Sequence, residues 1–192
     1  MDTFADSIRS RLLPPESNLG TSDQGHPPEA AVAVIIDPSR LGTMILLIRR
    51  SERTGDPWSG QIAFPGGFKG TDDRTLLETA IREANEEVGI ALEQHTVLGV
   101  LPFMYARGRR VRVATYVFQL QKTVQVHSGF EVADIFWVPV SDLARSPMIR
   151  SEVRVEEGKL TVYSYSYRGN LIWGLTFRII NTLLGKTSES AK

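Results

Sequence analysis

The chain has 192 residues, with 22 Lys plus Arg against 22 Asp plus Glu and no cysteine. That length suits one domain with a sizeable core and leaves two full domains cramped. Zero net charge argues against a general nucleic-acid or membrane-surface binder, since neither polyanion attracts such a chain at long range, and the lack of cysteine excludes disulfides, Cys-ligated zinc, Fe–S clusters and a Cys nucleophile. No apolar window of about 18 residues occurs, the length a transmembrane helix needs. The opening MDTFADSIRSRLL carries acids and no apolar run, unlike a secretory signal. The expectation is a soluble, cytoplasmic, single-domain protein.

Phe4, Ile8 and Leu12 fall at i, i+4 and i+8, a short amphipathic helix that docks one face. Residues 14–29, rich in Pro, Gly and Ser, read as a linker. Ala30 to Ile36 is a continuous apolar run, a buried strand, and Met44 to Ile48 a second one. A polar loop over 51–60 leads to a short strand, Gln61 to Phe64, broken by Pro65-Gly66-Gly67. A helix then runs from Leu76 to Val88, with Asp72 or Asp73 as N-cap and Gly89 as its stop. Val97 to Leu101 and Val111 to Leu120 read as strands paired through a tip around Arg107-Gly108-Arg109. Asp134 to Val138 is a strand, Val140 to Ala144 a short helix, and Val153 to Val155 with Leu160 to Tyr167 a small hairpin. Leu171 to Leu184 is a final amphipathic helix, and 186–192 a polar, disordered tail. Mixed strands with few helices suggest an α/β sandwich.

The helix carries the chemistry. At about 100° per residue, Ile81, Ala84 and Val88 fall within about 40° of Leu77, while Glu86, Glu83 and Glu87 share an arc of about 100° opposite or beside that stripe. Like charges at i, i+3 and i+4 repel and cost helix stability. Two readings follow: a solvated acidic face held by Arg82, or a cluster of hard oxygen ligands for Mg²⁺ or Mn²⁺ with positions left open for water and phosphate. Just upstream, consecutive glycines in Phe64-Pro65-Gly66-Gly67 allow close approach of the main chain to a ligand.

The sequence Gly-Gly, a loop, then Arg82-Glu83-Ala84-Asn85-Glu86-Glu87-Val88-Gly89-Ile90 resembles the Nudix hydrolase signature, G-x5-E-x7-R-E-U-x-E-E-x-G-U with U apolar. The second half matches throughout. The first half has one extra residue between Gly67 and Arg82, and Arg74 stands where the signature has a glutamate, with Asp72 and Asp73 the nearest acids. Leu46-Leu47-Ile48-Arg49-Arg50-Ser51, then Gly60 and Phe64-Pro65-Gly66-Gly67, and Thr79-Ala80-Ile81-Arg82-Glu83-Ala84 resemble the branch of coenzyme A pyrophosphatases. The resemblance covers roughly residues 30–185. It implies a Nudix-type α/β/α sandwich with a mixed central β-sheet, preceded by the N-terminal helix and linker over 1–29. It also implies hydrolysis of a nucleoside diphosphate linked to another moiety.

By this resemblance Glu83, Glu86 and Glu87, with the Gly66 carbonyl, hold Mg²⁺ or Mn²⁺. Arg82 orients a glutamate. Glu83 is the first candidate for the base, and Glu131 the alternative. Arg50 and Gly67 are candidate substrate contacts; strand alternation puts Arg49 and Arg50 on opposite faces. Arg107, Arg109 and Arg110, with Arg112, form a basic patch suited to an extra phosphate such as the 3′-phosphate of coenzyme A. Trp58 and Phe103 or Tyr105 are candidates to stack an adenine, whereas Trp137 and Trp173 read as core. His26, His95 and His127 fit no metal spacing. Coenzyme A or a derivative is the leading substrate. ADP-ribose, dinucleotides and oxidised nucleoside triphosphates remain alternatives, and a ligand-binding module without turnover is a third reading that the three intact glutamates argue against. The oligomeric state is not legible in the sequence; many proteins of the resembled family are dimers, which makes a homodimer one option, with the N-terminal helix a candidate dimer element.

Overall fold

The computed structural model describes residues 3–17, 30–39, 42–56, 58–106, 111–155 and 158–186. The candidate phosphate grip Arg107, Arg109 and Arg110 lies outside the described residues, as do His26, most of the linker and positions 187–192. A seven-stranded mixed sheet forms the centre, built from β1 (Ala30–Asp37), β2 (Met44–Arg50), β3 (Ile62–Ala63), β4 (Gly66–Phe68), β5 (Thr96–Ala106), β6 (Val111–Gln119) and β7 (Val132–Pro139). β1 runs parallel to β6, and the other pairings are antiparallel. A smaller sheet holds β8 (Ile149–Val155), β9 (Gly158–Tyr167) and β10 (Asn170–Trp173).

Alternation along β1 and β2 explains the layering, because successive side chains point to opposite faces. Ala31, Ala33 and Ile35 of β1 with Leu46 and Ile48 of β2 pack on one face beneath helix α2 (Leu76–Val88). Val34, Ile36, Ile45 and Leu47 pack on the other face, against α4 (Gly174–Leu184), Leu143 of α3 (Val140–Arg145) and Ile8 of α1 (Thr3–Ile8). Helices on both faces of a mixed sheet make the α/β/α sandwich that the sequence suggested. The apolar face of α1 is consumed inside this chain: Ala5 and Ile8 are buried, and Leu13 and Val100 exchange backbone hydrogen bonds of 2.8 and 2.9 Å. Lys186, read as the start of the tail, donates to the carbonyl of Leu143 and the hydroxyl of Tyr165.

β1 and β2 pair only at Ile36–Ile45 and Asp37–Met44, then diverge. The segment from Ile62 to Phe68 fills the wedge. β3 pairs with β2 on one side and β4 pairs with β1 on the other. Gly66 is obligatory there: its φ is +156°, and a Cβ would run into the backbone of Ala31 and Val32. Gly66 and Gly67, expected only to break the preceding strand, thus form a strand of their own with Phe68.

Details of the two long helices differ from expectation. The N-cap of α2 is Thr75, whose hydroxyl accepts from Glu78 N–H at 3.1 Å, while Glu78 reaches back to Arg74 N–H at 2.6 Å. This is a capping-box pattern displaced by one residue. Asp73 is instead drawn into tertiary contacts. The last helix begins at Gly174, not Leu171, because residues 170–173 complete the small sheet by pairing with β9. The buried face of α2 is Ala80, Ala84, Glu87 and Val88, rotated toward the glutamates relative to a stripe centred on Leu77, which is only half-buried. Two alanines let the helix approach the sheet closely, and Glu87 is carried into the contact.

Asp73 fastens the loop to α2. Its carboxylate accepts from Arg82 Nε at 3.0 Å and Nη2 at 2.9 Å, from Gly70 N–H at 2.7 Å and from the Thr79 hydroxyl at 2.9 Å. Asp73, next to Arg74, is thus the acid that ties the loop to Arg82. The Arg82 guanidinium, aided by Gly70 N–H and Thr79 against the opposing effect of burial, holds the Asp73 carboxyl well below the usual carboxylate range. A carboxyl whose pKa is depressed by folding adds stability above its unfolded pKa and loses that contribution as pH falls toward the folded value. Replacing Asp73 by Asn is expected to cost about 2 kcal/mol at pH 7. The deficit should shrink below about pH 4, the unfolded carboxylate range. Urea unfolding of both proteins at pH 7 and at pH 3 checks this; an equal deficit at both pH values would remove charge as the cause.

Candidate functional site

A cleft of about 870 Å³ opens between the wedge segment, α2 and the start of α4. Its charged and glycine lining comprises Gly66, Gly67, Glu83, Glu86, Glu87, Arg82, Arg50 and Glu131, with Lys69 and Arg178. Its apolar lining includes Val32, Val111, Val113, Leu160, Trp173 and Leu175.

Glu87 is 4% exposed and accepts Gly66 N–H at 2.9 Å through Oε2. Burial pushes its carboxyl up to about 7; the Gly66 hydrogen bond and the Arg50 guanidinium, 3.8 Å from Oε1, only partly oppose this, and Glu83 adds repulsion. Burial likewise raises the Glu83 carboxyl, against the pull of Arg82, with Glu86 and Glu131 adding repulsion. Gly67 makes room for it, since a Cβ there would collide with the Glu83 carboxylate. Arg82 Nη1 donates to Glu83 Oε1 at 2.8 Å and to Glu86 Oε2 at 3.1 Å, and its Nη2 donates to the Phe68 carbonyl at 3.1 Å. One guanidinium thereby aims two glutamates while Asp73 fixes its far side. Glu86 is the most exposed of the three glutamates.

Among the described residues no three acidic or histidine side chains converge into a ready-made metal cage. The chemistry of the set still fits a hard divalent cation of the Mg²⁺ type, which takes one or two carboxylates and completes its shell with water and phosphate. A buried and a half-buried carboxylate that repel each other beside a glycine backbone are stabilised by such a charge.

The sequence candidates separate clearly. Arg50 lines the cleft, whereas Arg49 turns away to pair with Asp134. Glu131 lines the cleft and accepts from Arg53 Nη1 at 2.8 Å, with Arg50 3.8 Å from its other oxygen. Trp58 lines the cleft. Phe103 and Tyr105 are not among its lining residues: Phe103 lies under the buried Arg112 guanidinium, 3.8 Å from the ring centre, and meets Tyr105 edge to face. Arg112 therefore belongs to a packed stack and not to an open basic patch. Trp173, read as core, is half-buried at the cleft wall, because it ends β10 instead of sitting within a helix. Trp137 is half-buried and packs against the core under α2, as expected. Asp56, Leu160, Leu175 and Arg178 escaped the sequence reading. The last three reach the cleft only through the packing of the small sheet and α4, and no local signal marks them.

The NUDIX domain model matches residues 26–156, more than half of the chain. A protein from Photorhabdus laumondii named Uncharacterized Nudix hydrolase NudL is 36% identical over 185 residues, 95% of each chain. Among solved structures, an Ap4A hydrolase binary complex from C. elegans aligns with a TM-score of 0.52 at 22% identity, over 59% of this chain and 82% of that one. A MutT/nudix family protein from Enterococcus faecalis aligns at 0.53 and 16% identity, over 97% of this chain and 68% of that one. The two structures share the sandwich and the mixed sheet. Together with the carboxylate helix laid over the glycine strand, these matches show that the chain belongs to the Nudix hydrolase family.

Proposed function

We propose that this protein hydrolyses the diphosphate of coenzyme A or a derivative of it, with Mg²⁺ or Mn²⁺ held by Glu83, Glu86 and Glu87 and the Gly66 carbonyl. The observation that carries this reading is the buried Glu87 beside the half-buried Glu83, set against Gly66 and Gly67 in the cleft. When bound, the cation neutralises diphosphate charge and makes a water easier to ionise. Arg50 supplies a fixed positive charge for the diphosphate, and Gly67 presents backbone without a side chain. Water oxygen attacks one phosphorus, the bridging P–O bond breaks, and the proton of the water passes to Glu83. Products are 4′-phosphopantetheine and adenosine 3′,5′-bisphosphate. Arg82 orients Glu83 and Glu86 without touching substrate. Glu131 is the alternative base; Arg53 engages one of its oxygens just as Arg82 engages one of those of Glu83. The apolar lining of Val32, Val113, Leu160, Trp173 and Leu175 suits a neutral pantetheine arm better than a second set of phosphates. Arg107, Arg109 and Arg110 are the proposed grip on the 3′-phosphate.

Glu83→Gln and Glu87→Gln are each expected to lower kcat by about 10³-fold, and Glu131→Gln by less than about tenfold. Steady-state kinetics on coenzyme A with each metal measures this, and a dominant loss in Glu131→Gln would transfer the base to that residue. In a panel of coenzyme A, ADP-ribose, diadenosine tetraphosphate and 8-oxo-dGTP, coenzyme A is expected to lead by more than about tenfold in kcat/KM, about 1.4 kcal/mol of transition-state binding. Changing Arg107, Arg109 and Arg110 together to Ala should raise KM for coenzyme A by about fivefold while sparing dephospho-coenzyme A. Another diphosphate in first place, still lost in Glu87→Gln, would replace the substrate and keep the chemistry. Turnover of none would leave a ligand-binding module.

A further inference from the structure

The loop over 51–60 joins β2 to β3 at the mouth of the cleft and carries two of its lining residues at or near its ends, Arg50 and Trp58. Asp56 meets both. Its Oδ2 accepts from Arg50 Nη2 at 3.1 Å, and its Oδ1 accepts from Trp58 N–H at 2.9 Å. The side chains of Arg50 and Asp56 are both mostly buried. Glu87 and Glu131 also attract Arg50, each from 3.8 Å, so the guanidinium stands among three carboxylates and its direction is set by the one that hydrogen-bonds it. The turn itself is closed by other bonds: Asp56 N–H to the Arg53 carbonyl, Ser59 N–H to the Asp56 carbonyl, Arg53 N–H to the Ser59 hydroxyl and Gln61 N–H to the Trp58 carbonyl.

We propose that Asp56 is a positioning residue that, from one carboxylate, fixes Arg50 for the substrate diphosphate and Trp58 for its planar base. This rests on the diphosphate-hydrolysis reading above. An arginine side chain left loose must be ordered when substrate binds, and that entropic cost falls on affinity, not on the chemical step. Asp56 thus sets how tightly the nucleoside diphosphate is gripped. An Asn in its place has one acceptor oxygen for two donors, so the hold on Arg50 or on Trp58 is lost while the turn's own bonds remain.

The test is a double-mutant cycle of Asp56→Asn and Arg50→Ala, read by titration calorimetry with α,β-methylene-ADP and Mg²⁺, beside kinetics on coenzyme A. Asp56→Asn should weaken binding by about tenfold and raise KM, with kcat held within about threefold. In the Arg50→Ala background it should add less than about threefold. Multiplicative losses in the cycle, an unchanged dissociation constant, or a fall in kcat at constant KM would each overturn the assignment. If coenzyme A is not hydrolysed, the substrate reading fails and the calorimetric cycle still decides the role of Asp56. If α,β-methylene-ADP does not bind the unmodified protein, both fall. Emission from Trp58, taken as the difference between each protein and its Trp58→Phe form, should report a more water-accessible ring in Asp56→Ala; an unchanged difference spectrum would remove Trp58 from the proposal.

Discussion

The hydrogen bond from Gly66 N–H to the buried carboxylate of Glu87 ties the central sheet to the carboxylate helix, and the site is organised around it. A hydrogen bond to a charged group contributes about 1.5–3 kcal/mol. That is less than the cost of removing a carboxylate from water, and the net result is a Glu87 carboxyl pushed up to about 7 by burial. The protein therefore holds, beside the Gly66–Gly67 backbone, a carboxyl that burial makes costly to ionise. Everything near it serves to keep that arrangement rigid. Ala80 and Ala84 bring α2 close to the sheet, Gly66 lets the wedge strand pass beneath, and Gly67 leaves space for Glu83.

Arg82 is the second organising element. It could satisfy the glutamates alone, but a single guanidinium between like charges would have several equivalent positions. Asp73 removes that freedom by taking its Nε and Nη2, so that Nη1 is left for Glu83 and Glu86. The same Asp73 closes the loop through Gly70. Asp73, next to Arg74, is thus the acid that ties the loop to the helix arginine.

The cleft has two characters because two pieces of structure build it. The charged lining comes mostly from the motif, with the wedge strand, α2 and Glu131, and the apolar lining from segments far apart in the chain, β1, β6, the small sheet and the first turn of α4. Behind the lining, Asp56 accepts hydrogen bonds from both Arg50 and the Trp58 backbone, two residues that reach the cleft.

The sequence by itself determined the layers and the reacting cluster. Continuous apolar runs at 30–36 and 44–48 force strands buried on both faces, Gly89 with φ +71° stops α2 where glycine alone is at ease, and the spacing of Glu83, Glu86 and Glu87 puts three acids on neighbouring helix positions whatever the rest of the fold does. These are local consequences of period and backbone geometry. Tertiary structure decided what depends on distant partners. Asp73 looked like an N-cap, and only the folded loop brings it to Arg82. Leu171 to Trp173 fit a helical stripe, but pairing with β9 makes them a strand and sends Trp173 to the cleft. Phe103 and Arg112 looked free for ligand until the β5–β6 hairpin stacked one on the other. Glu87 is buried because two alanines seat the helix on the sheet, and that burial, which no spacing rule contains, separates it from the exposed Glu86 beside it.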